Sequence, residues 1–189
     1  VAVESGSMHP PLKKGDLVFV MEQHRLKPAQ TVHGTGIITY RVGEQTGYSK
    51  LREPGDVLVY APFGNNRTTP IIHRARFWVN RNENWYAKAN RSYLNGAQNC
   101  RELRNCPAPH AGFITKGDHN GYYDQVVGIS SPVKPSWVKG TAEFRVPWLG
   151  WVRLLLTGDA AIGGPTTHAA AGTGVGASAT GTPASPSAG

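Results

Sequence analysis

The chain has 189 residues, 20 of them basic and 12 acidic, for a formal charge of +8. That length supports one well-filled core, and 23 glycines and 14 prolines among scattered Val and Ile pairs favour strands over helices. The basic residues, Arg74 and Arg76 among them, are spread as a solvated scatter, which argues against nucleic-acid binding, and the longest apolar stretch is about ten residues against the ~20 of a membrane span.

Val1 and Val3 alternate with Ala2 and Glu4 and read as a strand that delivers the turn Ser5-Gly6-Ser7-Met8-His9-Pro10. A serine hydroxyl is a poor nucleophile at neutral pH, so chemistry at Ser7 demands a nearby base and donors for an oxyanion. Gly6 would let a substrate backbone come close, Ser5 could add a second hydroxyl, and Pro10-Pro11 would stiffen the exit; a plain Ser/Gly/Pro turn is the bland alternative. Lys14-Gly15-Asp16 then leads into a buried strand over residues 17–21. Residues 22–35 are polar and irregular, and strand character resumes over 37–42 before a turn at 43–47.

A second Gly-Asp turn, Gly55-Asp56, precedes the apolar strand 57–60, and both Asp16 and Asp56 are expected to bind their own turns. Residues 70–79 alternate, with Ile71, His73, Ala75, Phe77 and Val79 on one face. That places His73 among core residues, either as a satisfied core imidazole or as a base facing a cleft. Residues 80–112 read as a loop-rich surface insertion with Trp85-Tyr86 as its packed patch. Cys100 and Cys106 stand in it without matched histidines, a poor zinc site but a spacing open to a local disulfide and hence to an oxidising compartment; two unpaired thiols are the alternative. The sequons at Asn66 and Asn90 agree with an extracytoplasmic setting.

A short strand at 113–115 runs into Lys116-Gly117-Asp118-His119-Asn120, and Asp124 follows six residues after Asp118. Residues 126–129 and 141–146 read as further strands, and 147–151 as the segment that closes the core. From Gly158 the composition falls to Gly, Ala, Thr, Ser and Pro, so 157–189 reads as a disordered tail without chemistry and 1–156 as the folded domain. With Val1 first and strand character immediate, the chain reads as cut from something longer.

Three ordered blocks, Ser5-Gly6-Ser7-Met8-His9-Pro10 with Gly15-Asp16, Ile71-Ile72-His73-Arg74, and Ile114 to Asn120 with Asp124, together resemble type I signal peptidases. The similarity is to the archaeal and endoplasmic-reticulum branch, because His73 stands where the bacterial branch has a lysine. The resemblance spans about residues 1–156 and implies an all-β, mainly antiparallel catalytic domain with coil-rich insertions, acting without cofactor or metal. It implies Ser7 as nucleophile, His73 as general base, Asp124 as the acid orienting it, and Asp118 as a second acid that helps hold the site. Ser5 and the Ser7 backbone N–H match the oxyanion hole, and Met8 is expected at the substrate or, with Phe19, on an apolar face that docks on lipid.

His119 stands where the family has Asn, and Lys116, beside the aspartates, reads as structural. The implied activity is an endopeptidase removing signal peptides from preproteins after Ala-x-Ala-like sites. The implied setting is the extracytoplasmic face of the cell membrane, with secretion machinery nearby and an anchor expected before Val1. Two alternatives are a self-cleaving repressor-type serine protease, which would use a lysine base beside a DNA-binding helical domain, and an inactive peptide-binding module of the same fold.

Overall fold

The computed structural model describes residues 3, 4, 6–8, 12–22 and 31–146. The expectations for Val1-Ala2, Ser5, His9, Pro10-Pro11, the apolar stretch 147–156 and the tail lie outside these residues. In chain order the elements are β1 (Leu17–Met21), α1 (Tyr40–Thr46), β2 (Ser49–Lys50), β3 (Glu53–Pro54), β4 (Val57–Tyr60), β5 (Ile71–Val79), β6 (Gly112–Lys116), α2 (Asp124–Val127) and β7 (Val138–Val146). The molecule is mainly antiparallel β, with one five-stranded sheet ordered β1-β7-β4-β5-β6 and a two-stranded β2-β3 hairpin.

β4 is buried along its whole length, as its unbroken apolar run Val-Leu-Val-Tyr requires of a strand covered on both faces. The two strands preceded by Gly-Asp, β1 and β4, flank β7 on either side. Asp16 binds its own turn through the Lys13 N–H and adds an ion pair to Arg145. Asp56, against expectation, reaches 18 residues back: its carboxylate accepts the Ile38 N–H at 2.7 Å and the Tyr48 hydroxyl at 2.7 Å. Burial pushes the Asp56 carboxyl above the usual carboxylate range.

Three expected strands are corrected. The strand expected over 37–42 is instead a buried Ile37-Ile38 pair followed by α1, whose N-cap Thr39 accepts the Val42 N–H and whose C-cap Gly47 is left-handed. Capping residues at both ends decided the helix, and an Ile pair mimics a strand only locally. Gly43 lets the helix pack on the β2-β3 hairpin, since a Cβ there would lie 2.5 Å from the Gly55 nitrogen. The strand expected over 126–129 is the end of α2 and its left-handed stop at Gly128.

The third correction concerns β5. Its register against β6 shifts between Ala75 and Phe77, a bulge that inserts Arg76 and breaks the alternation. Ile71 and Ala75 consequently pack in one cluster with Leu58, Tyr60 and Phe113, whereas Phe77 and Val79 join another. That second cluster gives the insertion after β5 a core of its own: Trp85, Leu94, Leu103 and Ala108 are all buried against Phe77, Ile114 and Tyr123. Each fully buried large apolar side chain stabilises the fold by roughly 1.5–3 kcal/mol, so the insertion is an anchored layer rather than a loose surface loop. The Cys100–Cys106 disulfide closes its far end.

Candidate active site

His73 sits on β5, opposite Leu58 of β4, and is 5% exposed. Its Nδ1 lies 2.8 Å from Asp124 Oδ2 and its Nε2 lies 2.9 Å from Ser7 Oγ. A carboxylate only accepts, so Nδ1 carries a proton, and in the neutral imidazole Nε2 then has its lone pair toward the Ser7 hydroxyl. Hydroxyl, imidazole and carboxylate, separated by 66 and 51 residues in sequence, thus form one line of hydrogen bonds.

Asp124 is fully buried at the start of α2. Its Oδ2 also accepts the Tyr60 hydroxyl at 2.9 Å and the Thr115 hydroxyl at 2.7 Å, while Oδ1 has no hydrogen-bond partner among the described residues. Burial first, then the charge of Asp124, raises the Tyr60 phenol well above its ordinary range, so Tyr60 stays a donor. The Gln125 side chain ties α2 to the edge of β6 by accepting the Thr115 N–H at 2.9 Å. A carboxylate held by fixed donors cannot rotate away, so the ring it holds keeps its orientation.

Asp118 stands elsewhere. It receives a two-pronged hydrogen bond from Arg74, Nε to Oδ1 at 2.9 Å and Nη2 to Oδ2 at 2.7 Å. Arg74 is fully buried, which corrects its place in the solvated scatter; its Nη1 also donates toward the carbonyls of Lys50, Glu53, Pro54 and Gly55 on the hairpin. The turn so anchored grips the Ser7 segment, because the His119 N–H donates to the Ser7 carbonyl at 2.9 Å. His119 therefore serves through its backbone, whatever its side chain adds. Lys116 points its ammonium at the carbonyls of Gly117, Asp118 and Asn120, a structural placement; burial, then the nearby Arg76 charge, lowers its pKa.

Met8 is a correction. It is 1% exposed, packed with Val3, Leu12 and Val18, and its sulfur accepts the Asp118 N–H, so it has no surface to offer a substrate or a lipid. Phe19 does face out, 44% exposed and stacked at 4.5 Å on Phe144, which is 53% exposed. Ser5 lies outside the described residues. Cys100 and Cys106 are joined, with their Cα atoms 5.1 Å apart. Among the described residues no group of three or more His, Cys, Asp or Glu could hold a metal, and no helix is long and apolar enough to cross a membrane.

Sequence reading missed Tyr60, Thr115 and the buried role of Arg74. A signal existed for Tyr60, the polar end of an otherwise apolar strand, whose hydroxyl must find a partner when buried. No protein-family model matches this chain, and no curated protein matches it.

Proposed function

We propose that this protein is a serine endopeptidase that cleaves signal peptides from preproteins after small residues. The observation that carries the reading is the 2.9 Å approach of Ser7 Oγ to His73 Nε2, with Asp124 on the other ring nitrogen at 2.8 Å. A hydroxyl, a correctly protonated imidazole and a buried carboxylate in line are what acyl transfer from a peptide bond needs. The signal-peptide substrate class rests on the resemblance of the three sequence blocks.

In this mechanism Ser7 Oγ attacks the scissile carbonyl carbon as its proton passes to His73 Nε2, and Asp124 stabilises the imidazolium. Collapse of the tetrahedral intermediate returns that proton to the leaving amine. Water then attacks the acyl-enzyme, giving its proton to His73, and the acid product departs as His73 returns that proton to Ser7 Oγ. The Ser7 backbone N–H and the Ser5 hydroxyl are the oxyanion donors that the resemblance assigns.

Among the described residues the β5–β6 ladder begins only at Arg74, and in this reading an extended peptide adds as a strand along residues 71–73. The Cys100–Cys106 bridge agrees with an extracytoplasmic location, and the exposed Phe19–Phe144 pair with a membrane surface nearby.

The test is cleavage of a preprotein peptide bearing an Ala-x-Ala site. Ser7→Ala should fall to background, and a fluorophosphonate should label the parent but neither Ser7→Ala nor His73→Ala. Equal turnover by Ser7→Ala and the parent would end this reading.

A further inference from the structure

We propose that the Cys100–Cys106 loop is a brace for Asp124, with Asn105 as a positioning residue, so that opening the disulfide slows the reaction assigned above to Ser7; this rests on that assignment. α2 is a single turn of four residues, too short to hold its own geometry. Its inner side is fixed to β6 through Gln125. Its outer side meets the disulfide loop.

Two consecutive residues inside the ring closed by Cys100 and Cys106, Arg104 and Asn105, make that contact, and Leu103 before them shares a core cluster with Tyr123, the N-cap residue just before Asp124. Arg104 lies across Gly128, the stop of α2, so closely that a Cβ there would sit 2.0 Å from its Nη1. Asn105 donates from Nδ2 to the Gln125 carbonyl at 2.8 Å, while its own carbonyl accepts the Trp85 indole N–H at 2.7 Å.

Asn105 holds this pose at φ 58°, a left-handed conformation that asparagine tolerates better than most residues. Cys106 follows it directly, so the ring closure limits how far Asn105 can relax. With the ring open, the loop regains conformational freedom that the contact with α2 must then oppose. Asp124 would lose one wall of its mount, and misplacement of a catalytic group by ~1 Å can cost as much as 10²-fold in rate.

Both cysteines are partly exposed, within reach of a small dithiol. In the exchange, a dithiol thiolate attacks one sulfur to form a mixed disulfide, and its second thiol displaces the remaining protein sulfur. The dithiol leaves as a cyclic disulfide, its two electrons and two protons now residing on Cys100 and Cys106 as thiols.

The experiment compares the full oxidised chain with the same protein after dithiothreitol treatment, two free thiols being verified by titration. On a preprotein peptide, reduction should lower kcat about tenfold with KM within about twofold, and reoxidation should restore it. Asn105→Asp, which keeps the backbone preference but turns an acceptor toward the Gln125 carbonyl, should give a comparable loss with the disulfide intact.

Hydrogen exchange across residues 124–129 supplies a readout independent of activity: the Ile129 N–H, bonded to the Asp124 carbonyl at 2.9 Å, should exchange faster in both cases. Unchanged exchange, or unchanged kcat in both the reduced protein and Asn105→Asp, overturns the brace. A protein inactive in every form would overturn the protease reading, and exchange would still decide the brace.

Discussion

His73 and Arg74 are neighbours on β5, and each meets one of two aspartates six residues apart, Asp124 and Asp118. Both pairs are buried and both contacts are short, yet they do different work. An imidazole can take up a proton and return it, so in the proposed reaction the charge of Asp124 is coupled to a proton that moves. A guanidinium never gives its proton up, so Asp118 and Arg74 form a fixed joint between the Ser7-gripping turn and the hairpin. Neighbouring positions on one strand thus send the proposed chemistry to one aspartate and a structural joint to the other.

The contrast is sharpest in Asp124→Asn against Asp118→Asn. An amide at 124 can hold the wrong imidazole tautomer, so kcat should fall by about 10⁴. Asp118→Asn should lose far less turnover, assayed at a temperature where both variants are folded. Equal losses would erase the division of labour. The next largest effect is on stability: Arg74→Met leaves a buried carboxylate unpaired and should cost ~3–5 kcal/mol in urea unfolding. Adding Asp118→Leu should recover only part of it, because the hairpin carbonyls that Arg74 serves would still lack their donor.

Tyr60→Phe tests whether the Asp124 carboxylate needs its outer donors. Losing one hydrogen bond to a charged group, ~1.5–3 kcal/mol, should lower kcat at least tenfold with the fold retained by circular dichroism. The smallest effect concerns Asp56, a buried carboxylate outside both pairs. Its pKa is raised in the fold, so the stability it contributes is full below the ordinary Asp range and is lost as pH rises through the folded value. Unfolding free energies of the parent should therefore decline relative to Asp56→Asn as pH rises from that range, and parallel curves would contradict the burial argument.

Residues 7, 73 and 124 were singled out by the resemblance of their three ordered blocks, since periodicity alone left His73 open between a satisfied core imidazole and a base. The five strands of the main sheet were readable, β1 and β4 by apolar runs and β5 by alternation, although β7 begins at Val138, three residues before the expected 141. Contacts made across distance were not. Nothing near Arg74 in sequence announces that carbonyls some 20 residues earlier converge on it, and the bulge at Arg76 defeats any count of alternating positions. Met8 was misread for the same reason, since a methionine beside a serine gives no sign that the Asp118 turn folds over it. Helix α1 was signalled by Thr39 and Gly47, and the Ile pair before it outweighed them.

At Gly117 a Cβ would come within 2.6 Å of the Ser7 carbonyl oxygen, whereas at Gly121, four positions on, it would meet nothing within 4 Å. A codon-randomised library sorted for folded, protease-resistant protein should therefore return glycine alone at the first position and nearly any residue at the second. Evolutionary latitude in this turn would be set by how near the backbone passes Ser7.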